Sequence, residues 1–305
     1  MLDVFLTVIL PTFLVAALGA ALQRWKMLSV SALGPVAMYL LSPALVLNGL
    51  LTTEMPAAIS FRVVVSAFLA MMIMLGLAAL FSALARQPRS LQSGVTLATG
   101  FPNAGNMGIP ISFLAFGDDG LAVAIIIFIV QGSLSWPVGI YVAARGHARG
   151  WGPLKASLKI PTLYALPVAL IIRATGWDMP VAFSSPIEML ADATIPVMLI
   201  VLGFQLSDGI DWARWRSLAS SGFARLILSA GVAFLVTSIV GLDGVAQQTV
   251  IIVSAMPTAV FTTILATEFN AEPKFVTSAV VLSTLTSIGT LTVLITVLRD
   301  LLGSP

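Results

Sequence analysis

The sequence predicts an all-α membrane protein of ten transmembrane helices, arranged as two inverted five-helix repeats with crossed, broken helices 4 and 9. Three observations predict it: the composition, ten apolar segments, and prolines that recur between the two halves. Of 305 residues, 58% are hydrophobic and 9% charged, and the mean hydropathy is +1.04. A water-soluble domain is normally about one quarter charged, so this composition suits a lipid surface.

Ten apolar segments follow one another, most of them close to the length of about 20 residues that crosses a bilayer as a helix. The longest polar interruption separates five segments from five. We therefore predict a first repeat over residues 1–143, a linker over 144–159 and a second repeat over 160–305. The segments are 4–22, 32–51, 61–85, 91–115, 120–143, 160–175, 186–206, 217–240, 245–268 and 275–298.

Basic residues identify the cytoplasmic loops. With the amino terminus outside, 12 lysines and arginines lie in inner loops, and only Arg62, Arg173 and Arg299 lie outside. Because loops rich in lysine and arginine stay in the cytoplasm, we predict a multi-pass protein of the plasma (inner) membrane, with both termini outside and the linker cytoplasmic. The first apolar run has no basic residues before it, which favours a retained helix over a cleaved signal peptide.

Prolines recur between the halves at nearly constant spacing. Each half has an odd number of predicted spans, so the second half enters the membrane inverted relative to the first. The pairs are Pro11 and Pro161, 150 residues apart, Pro43 and Pro196, 153 apart, and Pro102 and Pro257, 155 apart.

The fourth span is expected to unwind in its middle. Residues 101–110 contain two prolines, two glycines and two asparagines, and proline removes a backbone donor and clashes with the preceding turn. Residues 255–263, with Pro257, are the counterpart in the ninth span. We expect the two breaks to cross near the midplane, where half-helix amino termini favour an anion. The alternative is that these prolines only kink continuous helices.

Polar groups in and around these breaks are the candidate substrate-binding residues. Thr258 could instead bond to its own helix. Arg225 could reach a substrate carboxylate or snorkel to the cytoplasmic surface, and the sequence favours snorkelling. The candidates are Pro102, Asn103, Gly105, Asn106, Pro257, Thr258, Gln131, Asn48, Gln205 and Arg225.

Several function classes are excluded by what the sequence lacks. There is no cysteine, one histidine and no HExxH motif, so we expect no enzyme, no metal site and no cofactor. The formal charge of +2 is spread between apolar segments, which argues against nucleic acid. The expected partners are a small organic anion and membrane lipid, and the apolar helices leave room for a homodimer.

Two motifs resemble the auxin efflux carrier family, which includes the plant PIN proteins. They are Pro102-Asn103 with Met107-Gly108-Ile109-Pro110, and Glu268-Phe269-Asn270 with Pro273, and shorter similarities cover the whole chain. The resemblance implies a fold like that of bile-acid sodium symporters, with a scaffold from spans 1, 2, 6 and 7 and a transport domain from spans 3–5 and 8–10. It also implies Asn103 as a substrate-facing group and Pro102 and Pro257 as crossover prolines. The short linker favours a bacterial-type carboxylate such as malate or malonate over auxin.

These expectations together describe a carrier that works by alternating access. Paired intramembrane aspartates are absent from the sequence, which favours uniport over proton antiport. The alternatives are a sodium- or proton-coupled organic anion symporter and, less favoured, an anion channel.

Overall fold

The computed structural model describes residues 1–26, 30–52, 55–144, 161–206 and 209–302, and this part of the chain contains helices and no strands. The predicted linker, after Ala144, lies outside the described residues. Eleven helices follow in order: α1 (residues 2–26), α2 (30–52), α3 (Ala57–Leu84), α4 (Arg89–Gly100), α5 (Ala104–Ala143), α6 (Thr162–Thr175), α7 (Val181–Gln205), α8 (Trp212–Val240), α9 (Gly244–Ser254), α10 (Phe261–Glu268) and α11 (Pro273–Leu302).

Seven of these helices are long and apolar enough to cross a membrane, which confirms an all-helical membrane protein. They are α1, α2, α3, α5, α7, α8 and α11. The count of ten stays a prediction, because the fourth predicted span is divided between α4 and α5, the ninth is divided between the short helices α9 and α10, and α6 has only 14 residues. α5 has one non-helical residue, Gly117 (φ 61°, ψ −147°), between the predicted fourth and fifth spans.

Prolines shape the helices locally through π turns. Three such turns, Phe5–Ile9, Ala37–Leu41 and Ala104–Gly108, each end two residues before a proline. Proline has no N–H for the regular ladder, and a wider turn redistributes the carbonyls that it leaves unbonded. A fourth π turn, Ala224–Leu228 in α8, has no proline near it and carries Arg225.

α1 and α7 cross closely. A Cβ placed on Gly203 would lie 1.8 Å from the carbonyl oxygen of Ala16, and a Cβ on Gly19 would lie 2.4 Å from that of Ile200. Only glycine allows backbones to approach so closely, as is common where helices associate in membranes. The Thr194 hydroxyl of α7 also donates to the Leu41 carbonyl of α2 at 3.1 Å, so α7 binds both amino-terminal helices.

Three arginines join helix ends that the sequence assigns to one side of the membrane. Each donates to a backbone carbonyl of another helix or its cap. The bonds run from Arg62 to Gly241 at 2.8 Å, from Arg173 to Leu50 at 2.9 Å and from Arg299 to Ala115 at 2.5 Å. At helix ends assigned to the other side, Arg214 and Glu272 form an ion pair of 3.0 Å.

Both helix breaks lie at the centre of the packing. The structure has three buried apolar clusters, and each contains residues from the two predicted breaks or the turns beside them. Residues of both segments therefore contribute to each of the three clusters. The first cluster contains Met107 and Met256, the second contains Ile109 and Val253, and the third contains Phe101 and Ala259.

Candidate functional site

The first helix break lies between α4 and α5. α4 ends at Gly100, Phe101 is extended (φ −112°, ψ 109°), and helical structure resumes at Ala104. A residue before proline is forced toward extended backbone, so Pro102 accounts for the conformation of Phe101. The helix stops and restarts, so the alternative of a simple kink is wrong here.

The second helix break lies between α9 and α10. α9 ends at Ser254, and regular helix resumes only at Phe261, so the break is longer than the first. Pro257 lies in its middle and is buried, as are its neighbours Met256 and Thr258. The interruption predicted at Pro257 is therefore present.

Backbone hydrogen bonds join the two breaks directly. The Asn103 N–H donates to the Pro257 carbonyl at 2.8 Å, and the Ala259 N–H donates to the Phe101 carbonyl at 2.9 Å. Pro102 and Thr258 form an antiparallel bridge between these bonds. Backbone N–H and carbonyl groups without a hydrogen bond are costly in a membrane. Here each break provides hydrogen-bond partners for backbone groups of the other break.

Thr258 supplies a further bond across the breaks. In a continuous helix the N–H of residue 102 would bond to the Ala98 carbonyl, but Pro102 has no N–H. The Thr258 hydroxyl donates to that carbonyl at 2.7 Å, and the Thr258 N–H donates to the Ser283 hydroxyl of α11 at 3.1 Å. The alternative in which Thr258 bonds to its own helix is therefore wrong.

Arg225 is buried beside the same breaks. Its side chain is 1% exposed, so the prediction of snorkelling to the surface is wrong. One terminal nitrogen donates to the Thr99 carbonyl at 2.7 Å, and the other donates to the Ser254 carbonyl. A continuous helix would bond these carbonyls to Asn103 and Thr258, four residues later, and both of those N–H groups are used elsewhere. The guanidinium thus caps the carboxyl-terminal ends of α4 and α9.

Asn103 lies at the amino-terminal end of α5 and is 5% exposed. Its side-chain nitrogen Nδ2 is buried and has no hydrogen-bond partner in the described part of the chain. Asn106, in the first turn of α5, is half-buried. A Cβ on Gly105 would lie 2.9 Å from a ring carbon of Phe128, so glycine allows α5 to pack closely here. A buried donor without a partner requires an explanation, and an ordered water or a ligand would provide one.

Gln131 and Asn48 lie on helices next to this turn. Gln131 is one helical turn beyond Phe128, 4% exposed, and its Oε1 has no partner among the described residues. Asn48 is half-buried, and the adjacent Gly49 would place a Cβ 2.3 Å from the Ile125 side chain of α5. No hydrogen bond among the described residues joins either side chain to the breaks. Gln205 ends α7, and its side chain lies outside the described part of the structure.

A polar cavity of about 450 Å³ opens at the ends of α4, α8 and α11. Ser90 lines it at the start of α4, ten residues before Gly100, so it lies about 15 Å along the helix from the first break. The Ser90 hydroxyl and Arg214 both bond to the Glu272 carboxylate, at 3.1 and 3.0 Å. The cavity thus lies at the opposite end of α4 from the first break.

Sequence reasoning missed Thr99 and Ser254, whose carbonyls bind the guanidinium. A signal for them exists, because each stands four residues before the residue that follows Pro102 or Pro257. Ala98 stands four residues before Pro102 itself, so the missing N–H of the proline identifies its carbonyl. The side chains that donate hydrogen bonds to these carbonyls, Arg225 and Thr258, could not be predicted from spacing alone.

The electrostatics of the site favour negative charge. Two helix carboxyl ends and two amino ends meet here, each equivalent to about half an elementary charge, so the four ends sum to roughly zero. Arg225 adds one positive charge and is the only fully buried charged residue in the described part of the chain, where no aspartate or glutamate is buried. A site with one excess positive charge attracts an anion.

An all-helical membrane protein whose interrupted helices meet inside the core has the features of a transport protein. Residues 4–150 and 153–295 match the model of a family described as "Membrane transport protein". The chain belongs to this family, the auxin efflux carrier family, as the two sequence motifs predicted. Its family and relatives are membrane transporters and not enzymes.

Individual relatives agree with the family. The chain is 27% identical over 200 residues to the uncharacterized transporter MJ1031 of Methanocaldococcus jannaschii, covering 63% of each chain. It is 24% identical over 199 residues to an uncharacterized transporter of Methanothermobacter thermautotrophicus, covering 65% of each. For the uncharacterized transporter YfdV of Escherichia coli K12 the identity is 27% over 198 residues, 62% of each. The alignments span just under two thirds of these curated relatives.

Proposed function

We propose that this transporter is a carrier that moves a small organic anion, such as malate, malonate or an auxin-like carboxylate, across the plasma membrane by alternating access. The observation that carries the proposal is the buried, unpartnered Asn103 Nδ2 at the amino-terminal end of α5, where the two breaks meet. Nδ2 can donate to a carboxylate, and the adjacent helix end adds partial positive charge.

The sign of the site charge supports an organic anion. Arg225 offsets the carboxyl ends of α4 and α9, and the amino ends of α5 and α10 remain without a buried acidic partner among the described residues. A carboxylate between those amino ends would bring the site close to neutral. A cationic substrate would add to the positive charge already present.

The arrangement in two inverted five-helix repeats is part of the proposal. Arg225 bonds to Thr99 and Ser254, which are 155 positions apart, the same spacing as Pro102 and Pro257. The bonds of Arg62, Arg173 and Arg299 agree with the predicted order of helix ends. In this scheme α1, α2, α6 and α7 form the scaffold, and the crossed breaks move against it with the remaining helices. Inner-membrane location, outside termini and a homodimer remain predictions.

Membrane potential gives the uniport scheme a direction. An anion leaving a negative interior gains about 2.3 kcal/mol per charge per 100 mV, so uncoupled transport favours export. A sodium- or proton-coupled symporter is the alternative, and it would permit uptake against this potential.

Counterflow in proteoliposomes tests the proposal. Labelled malate is measured in vesicles preloaded with malate or malonate, with an imposed potential and with or without sodium and pH gradients. We expect saturable, voltage-dependent counterflow, because a carrier exposes its site to one side at a time. Asn103→Ala should raise the malate KM about 10- to 100-fold, since a hydrogen bond to a charged group contributes about 1.5–3 kcal/mol.

Thr286→Ala is the matched control. Thr286 is exposed on α11 and donates to the Leu282 carbonyl of its own helix, so the wild-type KM should be retained. Flux that does not saturate and shows no counterflow would indicate a channel. An unchanged KM in Asn103→Ala would remove Asn103 from the substrate site.

A further inference from the structure

The carboxyl-terminal ends of α4 and α9 form a site for a cation. Thr99 and Ser254 direct carbonyls to the same guanidinium, and neither carbonyl has its ordinary helical partner. The two ends together carry about one negative charge. Free cations bind to such convergent carbonyls in membrane proteins where helices are broken.

Arg225 already fills this position with a cation of the chain itself. It lies in a π turn that no proline explains, and the Ser229 hydroxyl donates to the Arg225 carbonyl within that turn. The described part of the chain contains no acidic residue paired with it. Its charge is therefore balanced by helix ends alone, as a bound inorganic cation would be.

We propose that the Arg225 guanidinium, bonded to the Thr99 and Ser254 carbonyls, is a tethered cation that replaces a free coupling cation, so that anion transport by this chain needs no sodium. The inference rests on the proposed function for its transport consequence, but the cation site itself does not. Arg225 is a positioning residue in this scheme, because it fixes the two helix ends beside the substrate site. Removing its side chain leaves a vacant site that accepts a small monovalent cation of the guanidinium class.

Chemical rescue of Arg225→Ala tests the site without any substrate. Thermal unfolding of the purified variant is followed in detergent with millimolar guanidinium chloride, sodium chloride or choline chloride at equal ionic strength. Millimolar guanidinium is far below its denaturing range, which is molar. We expect a lower Tm in choline and a saturable rise of about 2–4 °C with guanidinium.

Arg62→Ala is the matched control. Arg62 also donates a terminal nitrogen to a backbone carbonyl of another helix, that of Gly241, but it is exposed. Its Tm should be the same in all three salts. A guanidinium effect of equal size in this variant, or none in Arg225→Ala, would overturn the proposal.

A second pair of variants covers the case in which Arg225→Ala does not fold. Arg225→Lys keeps the positive charge, whereas Arg225→Gln keeps a hydrogen-bond donor without it. We expect the lysine variant to retain a Tm closer to wild type and the glutamine variant to lose most of the folded yield. Equal behaviour of the two variants would show that charge is irrelevant, and the proposal would fail.

Transport provides the final measurement. Replacing sodium by choline should leave the wild-type counterflow rate unchanged within about twofold, while Arg225→Ala should regain counterflow when guanidinium is added. Sodium-dependent transport by the wild type would overturn the tethered-cation proposal and leave the carrier proposal intact. If no organic anion flux is detected but guanidinium still raises the Tm of Arg225→Ala, the carrier proposal fails and the cation site at Arg225 is retained.

Discussion

Thr258→Val tests the hydrogen bond that completes the first helix break. Valine keeps the shape of threonine but removes the hydroxyl that donates to the Ala98 carbonyl at 2.7 Å. Pro102 cannot supply the missing donor, and Thr258 is 1% exposed, so water does not replace it easily. The variant therefore leaves a buried acceptor without a partner.

The expected loss of stability follows from this burial. An ordinary interhelical hydrogen bond in a membrane protein contributes about 0.6 kcal/mol on average, whereas a buried unsatisfied acceptor costs about 1–3 kcal/mol. We expect the larger value, because Ala98 has no alternative donor. For a chain of 305 residues this corresponds to a fall in Tm of about 2–6 °C, measured by tryptophan fluorescence in detergent.

A matched control and a second background make the test specific. Thr292→Val removes a hydroxyl that is 9% exposed and bonds to Ile288 within the regular helix α11, so its Tm should change by less than about 1 °C. In a Pro102→Ala background, residue 102 regains an N–H that can reach Ala98, and Thr258→Val should then have a smaller effect. Equal falls in Tm for Thr258→Val and Thr292→Val would refute this explanation. So would a fall in Tm for Thr258→Val that is as large in the Pro102→Ala background as in the wild type.

Two further predictions concern packing and surface charge. Gly203→Ala should lower stability by about 1–3 kcal/mol, because its Cβ would lie 1.8 Å from the Ala16 carbonyl oxygen, whereas Gly231→Ala, with open space around it, should raise Tm slightly. An unchanged or higher Tm in Gly203→Ala would contradict the close α1–α7 crossing. Glu272→Gln should lower Tm by no more than about 2 °C, because its ion pair with Arg214 is partly solvent-exposed and such pairs contribute at most about 1 kcal/mol. A fall well beyond this value in thermal unfolding would show that Glu272 has a larger structural role.

The prolines made the helix breaks predictable. Pro102 and Pro257 remove specific N–H groups, so the loss of helix near them follows from covalent structure alone. A crossing of the two breaks near the midplane was also expected from their matching positions in the two halves. The donors that bond to the freed carbonyls could not be predicted, because they lie far away in the sequence. Arg225 and Thr99, for example, are more than 120 positions apart.

Arg225 shows where sequence reasoning chose the wrong alternative. A long basic side chain eight residues into an apolar segment commonly reaches back to the surface, and no sequence pattern revealed the π turn that carries it. Gly117 shows a different limit. It interrupts the helix between the predicted fourth and fifth spans, but helical structure resumes directly after this one residue. Helix length alone therefore does not reproduce the predicted number of spans.

The shared backbone bonds impose an order on membrane insertion. Ala98 and Thr99 enter the bilayer with the first half of the chain, but the groups that satisfy their carbonyls, Thr258 and Arg225, are synthesised more than 120 residues later. These two hydrogen bonds therefore cannot form until the later residues have been synthesised. Assembly of the centre is consequently among the last events of biogenesis, and neither half can complete it alone.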